Sequence, residues 1–409
     1  MRANKFSLTT LAFFVVTAGA CSAQVVDQTK PRTNFEIVVT NPTGKNGYEE
    51  LVMATDILKT RADLRQAISP EAMDGGGALT LSDKRKFLFD PDVQKILGLI
   101  ARAQSKPISN PREKMDDTTL LPEMVEFRNV ARILNIKMYV ELADGRVNLA
   151  LDTFASGIKL GYVIQSDVLI GGLIGVAVDT LVIRRIAQHI PQFSVKDCDR
   201  MIATAKEWMR LPDPTISIFQ SERTLGISVF EKYKNKPDAL IDAFNITPKD
   251  PNYAISRQFA SMGPQALAPI IADASALLNQ GYDRVIAELK KPAWQRQDVP
   301  DYNNATPAST LAGMMMPTMG VAQDRFVQDQ AHVQLLGVHA AIRKYRWEHD
   351  ALPNNLAELK LGDLVIDPFS GQPLVYKKID DTHYEVSSEG PPDRSAEAKG
   401  LGQRKRIVF

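Results

Sequence analysis

Apolar side chains recur at three-to-four-residue spacing through most of this chain, the signature of helices with one buried face. Tyr48, Leu51, Val52 and Leu58 form one such stripe, after the turn cluster Asn41-Pro42-Thr43-Gly44. Asp90 followed by Pro91 marks the start of a helix reaching about Gln104, because a capping carboxylate and a proline at the first position both suit an N-terminus. Pro122 opens a further helix over 123–142. Residues 168–183 are almost wholly apolar, broken by Asp179, and that length predicts a core helix in preference to a membrane span. Helices are also predicted over 194–210, 215–233 and 264–289, and a long helical pattern runs from Ser309 to His349. The period changes to two in a few places. Residues 35–39 read as an extended segment, and 375–378 with 384–387 read as strand-turn-strand. The predicted fold is therefore mainly α. An irregular helical domain occupies 24–291, a Pro- and Asn-rich linker 292–307, and a long helix with a small antiparallel β-sheet 308–409.

The segment 134–160 carries the clearest architectural signal. Leu134 to Leu142, the break at Asp144-Gly145, then Ala150, Leu151, Phe154, Gly157 and Leu160 predict a helical hairpin whose second helix uses small residues to admit the first. It resembles one tetratricopeptide-type unit, without the 34-residue period of an array.

The first 23 residues add a compartment. Arg2 and Lys5 precede an apolar run from Leu8 to Ala20 that ends in small residues, the layout of a secretory signal. Cleavage after Ala23 removes Arg2 and Lys5, taking Lys+Arg from 49 to 47 against 48 Asp+Glu. Alternatively Ala18-Gly19-Ala20-Cys21 serves as a lipobox and Cys21 is lipidated, the one route by which membrane association is expected. Near-neutral charge gives no global field for nucleic acid. Two cysteines, Cys21 and Cys198, exclude a disulfide framework.

Candidate chemistry is sparse. No Gly-x-Ser-x-Gly elbow, no Gly-x-x-x-x-Gly-Lys phosphate loop and no His-Glu-x-x-His pair occurs. His332 and His339 lie about 10.5 Å apart along a helix, too far to share a metal. His189, His349 and His383 have no companions in sequence. Met314, Met315, Met316 and Met319 could offer soft ligands, yet without His or Cys nearby they read as core filler. Cys198, flanked by Asp197 and Asp199, reads as an inert buried thiol. Asp179 is the sharpest candidate: a buried carboxylate must be paired or neutral, and Arg184, Arg185 or Arg132 is expected to pair with it. No second carboxylate is marked by its position as a partner. No catalytic, cofactor-binding or metal residue is assigned, and a helix-dominated monomer or weak oligomer without cofactor is expected.

The end of the chain resembles the globular part of type II secretion major pseudopilins. The residues carrying this are Ile342, Tyr345, Pro353, Leu356, Leu359, Asp367, Pro368, Gly371, Pro373, Tyr376, Ser388 and Gly390, in roughly the last fifth of the chain. The prepilin cleavage motif Gly-Phe-Thr-Leu-x-Glu is absent. Overall the chain is similar to uncharacterised exported bacterial helical proteins with such an end, a group that brings no known activity. The pseudopilin likeness would imply calcium in the loop after the sheet. Here Arg404-Lys405-Arg406 precede Ile407-Val408-Phe409 where a further Asp would stand, so packing of Phe369, Tyr376 and Tyr384 on the long helix is expected to hold the sheet without the ion. The reading that follows is a non-catalytic extracytoplasmic scaffold binding a protein partner. The alternatives are an envelope hydrolase using Asp179 or its neighbours, and a divergent component of a type II secretion or pilus system.

Overall fold

The computed structural model describes residues 32–74, 79–112, 115–116, 119–165, 168–236, 240, 257–259, 261–299, 306–316, 319–393 and 404–409. Residues 1–23 with Cys21, where a secretory signal is expected, the triple glycine at 75–77 and residues 300–305 of the expected linker lie outside them.

The chain is built on the helices α1 (Asn34–Val38), α2 (Gly47–Thr60), α3 (Ala62–Ala67), α4 (Pro70–Asp74), α5 (Leu81–Leu88), α6 (Pro91–Gln104), α7 (Pro122–Ala143), α8 (Val147–Ile164), α9 (Leu169–Ala187), α10 (Val195–Trp208), α11 (Thr215–Tyr233), α12 (Pro264–Leu289), α13 (Pro307–Met315) and α14 (Met319–His349). Short 3-10 turns at Leu356–Leu359 and Gly362–Val365 lead to β1 (Val375–Lys378) and β2 (Tyr384–Ser387). The fold is mainly helical with one small antiparallel sheet, as the sequence predicts.

Local chemistry explains most boundaries. Asp90 accepts from the backbone N–H groups of Asp92 and Val93, with Pro91 in the first turn. Ser194 and Asp197 form a capping box at the start of α10. Gly145, at φ +71°, turns the chain between α7 and α8. Residues 35–39, expected to be extended, are helical up to Val38. Thr33 and Glu36 close a capping box there, and Asp56 of α2 accepts from the N–H groups of Asn34 and Phe35. The Ser309–His349 pattern is two helices, parted where Met316 takes an extended conformation. Proline at 317 disfavours helical geometry in the residue before it.

Three apolar clusters join these elements. One lies among α2, α6 and α7 and reaches Leu160, Ile164 and Val178. A second unites α8, α9, α10, α14 and the sheet. The third runs through α9, α11, α12, α13 and the start of α14. Packing thus crosses the 292–307 segment: α13 and α14 share a core with α9 and α12. Burying side chains such as Leu335, Leu336, Val338 and Ile342 of α14 contributes about 1.5–3 kcal/mol each, which fastens the C-terminal part to the helical body.

The small residues of α8 serve a partner other than the one expected from the hairpin. Gly157 faces Val182 of α9, where an added β-carbon would come within 2.6 Å of a methyl, and at Gly161 it would collide with the carboxyl of Asp179. Both glycines therefore allow α8 to approach α9, not α7. Gly161→Ala is expected to cost about 1–3 kcal/mol through overpacking, measured by urea unfolding. Unchanged stability would mean that α8 and α9 stand further apart than described.

Candidate functional site

Asp179 sits on the inward face of α9 and is fully buried. Its counterpart is not a cation. Arg185 donates from Nε to Asn135 at 3.1 Å and stacks over Tyr139, Arg132 donates to Asn129 at 2.8 Å, and Arg184 is exposed. The expected ion pair is thus replaced by a carboxyl pair: the group facing Asp179 is Asp329 of α14, only 1% exposed. Gln165, at the C-terminal end of α8, donates from Nε2 to Oδ2 of Asp179 at 3.2 Å and to Oδ2 of Asp329 at 3.1 Å. Trp208 at the end of α10 directs its indole toward Asp179 without closing a short bond.

The remaining Oδ1 atoms of both acids are buried without a conventional donor. An acceptor-only carboxylate left so would be costly, but a carboxylic acid carries its own donor. Two acids sharing a dry site cannot both ionise. Burial, followed by the charge of Asp329, raises the pKa of Asp179 well above the usual carboxylate range. Burial lifts Asp329 to about 7, against the lowering effect of its hydrogen bonds from Asp179 and Gln165. Elsewhere the same chain solves the problem conventionally: buried Glu123 receives Arg112 at 2.6 Å and the hydroxyl of Tyr48 at 2.9 Å.

The second constellation is the histidine row of α14. His339 Nδ1 lies 2.9 Å from the hydroxyl of Tyr384 on β2, and Phe409 stacks on His332 with ring centroids 5.8 Å apart. Burial depresses both histidines to about 4, with Arg184 and Arg325 adding to the effect at His332. They are neutral packing groups at ordinary pH. Among the described residues no cluster of three or more His, Cys, Asp or Glu is placed to hold a metal ion. Met314 and Met319 lie buried in the third apolar cluster.

Asp367 anchors the turn that precedes the sheet. Its fully buried carboxylate accepts from the N–H of Phe369 at 3.0 Å, the hydroxyl of Ser388 at 2.8 Å and the N–H of Glu389 at 2.7 Å. β1 and β2 pair antiparallel from Val375 opposite Ser387 to Lys378 opposite Tyr384, and Ile407 continues the pairing through Ser388. Arg404 donates to the carbonyls of Phe369 at 3.3 Å and Gly390 at 3.0 Å and meets Glu389 at 3.4 Å. Phe369 packs in the core shared with α14, and Tyr376 donates to the carbonyl of Pro353 at 2.7 Å. A guanidinium thus occupies loop carbonyls that a hard cation would need. Melting of the intact protein is expected to be the same with calcium and with chelator, and a calcium-dependent rise of many degrees would contradict this.

Trp294 lies over Gly371, whose φ of +69° closes that turn. Trp294 also borders an open cleft of about 190 Å³ lined by Arg296, Asp298, Asp324 and Arg404. Charges of both signs line it, and Arg296 is turned back to the carbonyls of Leu289 and Lys291.

Cys198 is fully buried, and burial pushes its thiol up to about 11. It is expected to resist a thiol reagent in the folded protein at pH 8 and to react on denaturation; rapid labelling of the native protein would contradict its placement.

Among these groups, sequence reasoning finds Asp179 but misses Asp329 and Gln165. Asp329 falls in a polar stretch, 150 residues from its partner. Its one signal is periodic: it shares the buried stripe of Phe326 and Val333 at three and four residues' distance. Comparisons of the chain with protein-family models, with curated proteins and with solved structures find no match.

Proposed function

We propose that this chain is a non-catalytic extracytoplasmic scaffold that binds a protein partner. One observation carries the reading: among the described residues, the constellation richest in acid-base chemistry is sealed from any substrate. Asp179 and Asp329 are 0% and 1% exposed, and a general acid must come within hydrogen-bond reach of the group it serves. Large apolar side chains stand outside instead, with Phe89 82% and Trp347 55% exposed. Such residues suit contact with another protein. The charged start, apolar run and small-residue end of residues 1–23 support export. The long helix, the Asp367 turn and the small sheet support a pseudopilin-like end, which makes a role beside a secretion or pilus assembly a narrower form of the same proposal.

A crosslinking pulldown from envelope fractions tests the reading. The expected result is one partner retained by wild type and lost from a Phe89→Ser/Trp347→Ser variant that folds normally. The competing reading, a hydrolase, is favoured by the acid pair itself. It would prevail if an unbiased hydrolase screen found activity that Asp179→Asn abolishes.

A further inference from the structure

We propose that Asp179 and Asp329 form a proton-dependent clasp, which holds α14 against α8 and α9 while the two acids share a proton and loosens that contact once both are ionised. The clasp spans two regions of the chain. Asp179 belongs to the helical body, whereas Asp329 belongs to the helix on which the terminal sheet is built.

The geometry is that of a site made for the neutral form. Gln165 bridges the two carboxyls with one amide, and among the described residues nothing outside the pair donates a short bond to them. Close packing removes any room for a compensating ion: a β-carbon at Gly161 would overlap Asp179, and one at Gly175 would overlap the side chain of Gln165. Among the described residues the surrounding elements set no cation against the pair. From α8 the pair meets Gln165, and from α10 it meets Trp208. On α14 the i−4 neighbour Arg325 turns outward to Gln328, and His332, one turn beyond, is neutral. On α9 Arg184 is exposed. On α7, which also packs on α9, Glu126 pairs with Arg65 and Glu141 with Lys137, and half-buried Glu222 of α11 accepts from the N–H of Leu169 at the start of α9. When the shared proton leaves, two negative charges face each other in a medium of low dielectric, and separation or entry of water is the available relief. Because α14 also carries the terminal sheet, a local event between two side chains becomes a movement at the α9–α14 contact. This inference does not depend on the partner proposed above.

Trp208 is a built-in reporter. In the full chain with Trp294→Phe and Trp347→Phe, so that Trp208 alone emits, acrylamide quenching is expected to rise severalfold in one reversible step as pH climbs above about 7, with far-ultraviolet circular dichroism unchanged. In the same background Asp179→Asn/Asp329→Asn, which mimics the protonated pair, is expected to show no step. Persistence of the step in that variant, or no step in the parent up to pH 10, would overturn the clasp. Should the double variant fail to fold, infrared spectroscopy of the parent decides. A protonated carboxyl band present at pH 6 and lost in the same step supports the clasp, whereas its absence at pH 6 refutes it.

Discussion

Raising the pH from about 6.5 to 9 is expected to destabilise this protein markedly, and replacing Asp179 and Asp329 by Asn is expected to remove most of that loss. A carboxyl whose pKa is higher in the folded state than in the unfolded chain binds its proton more tightly when folded. Its stabilising contribution is therefore complete below the unfolded value near 4 and is lost as pH rises through the folded value, about 7 for Asp329 and well above the ordinary range for Asp179. Each proton retained only by the folded state tilts stability by about 1.4 kcal/mol per pH unit. His332 and His339 act in the opposite direction. Their folded values near 4 lie below the unfolded value near 6.5, so their contribution is present above pH 6.5 and lost as pH falls toward 4. Between about pH 4 and 6.5 the two pairs largely offset each other, which gives a plateau. Above it the acids act alone and stability falls. Urea unfolding at half-unit intervals checks this. A wild-type curve that rises through pH 7 to 8, or a double Asn variant with the same alkaline loss, would show that the buried acids carry no shared proton.

The other large effect is expected at Asp367. Its carboxylate ties the turn to the strand end through buried Phe369 and Ser388 and half-buried Glu389. Hydrogen bonds to a charged group contribute about 1.5–3 kcal/mol each, and the donors deserted by Asp367→Ala would stay buried. Because the three share one acceptor, their losses are not additive, and a total of about 3–5 kcal/mol is expected. The damage should be local first: hydrogen exchange is expected to accelerate across 366–393 and 404–409 before it does in α2 and α6, whose core is separate. Uniform acceleration, or a loss below about 1 kcal/mol, would contradict the anchoring role.

These two sites differ in how far the sequence reveals them. Helices whose ends carry explicit chemistry are legible: Asp90 with Pro91, Ser194 with Asp197, and the pattern over 215–233 all fall where capping and periodicity place them. Asp367 is legible too, as an Asp-Pro turn with a glycine four residues on. Residues 35–39 mislead because β-branched and aromatic side chains are concentrated there, while the deciding contact comes from Asp56 on another helix. The acid pair is illegible for a deeper reason. That Asp179 must be neutralised follows from burial alone, but whether an arginine or a second acid does so depends on which helix packs across it. The arginines nearest in sequence are drawn off by Asn135 and Tyr139 or by solvent, and α14 delivers Asp329 instead.

The most direct test of the shared proton is a count of protons on unfolding. Calorimetric unfolding at pH 7 in buffers of different ionisation enthalpy gives the number released by the wild type and by Asp179→Asn/Asp329→Asn. The wild type is expected to release about one proton more than the variant, since one acid of such a pair stays protonated until unfolding frees it. Equal release from the two proteins would mean that both carboxyls are already ionised in the folded state, and the account of this site would be wrong.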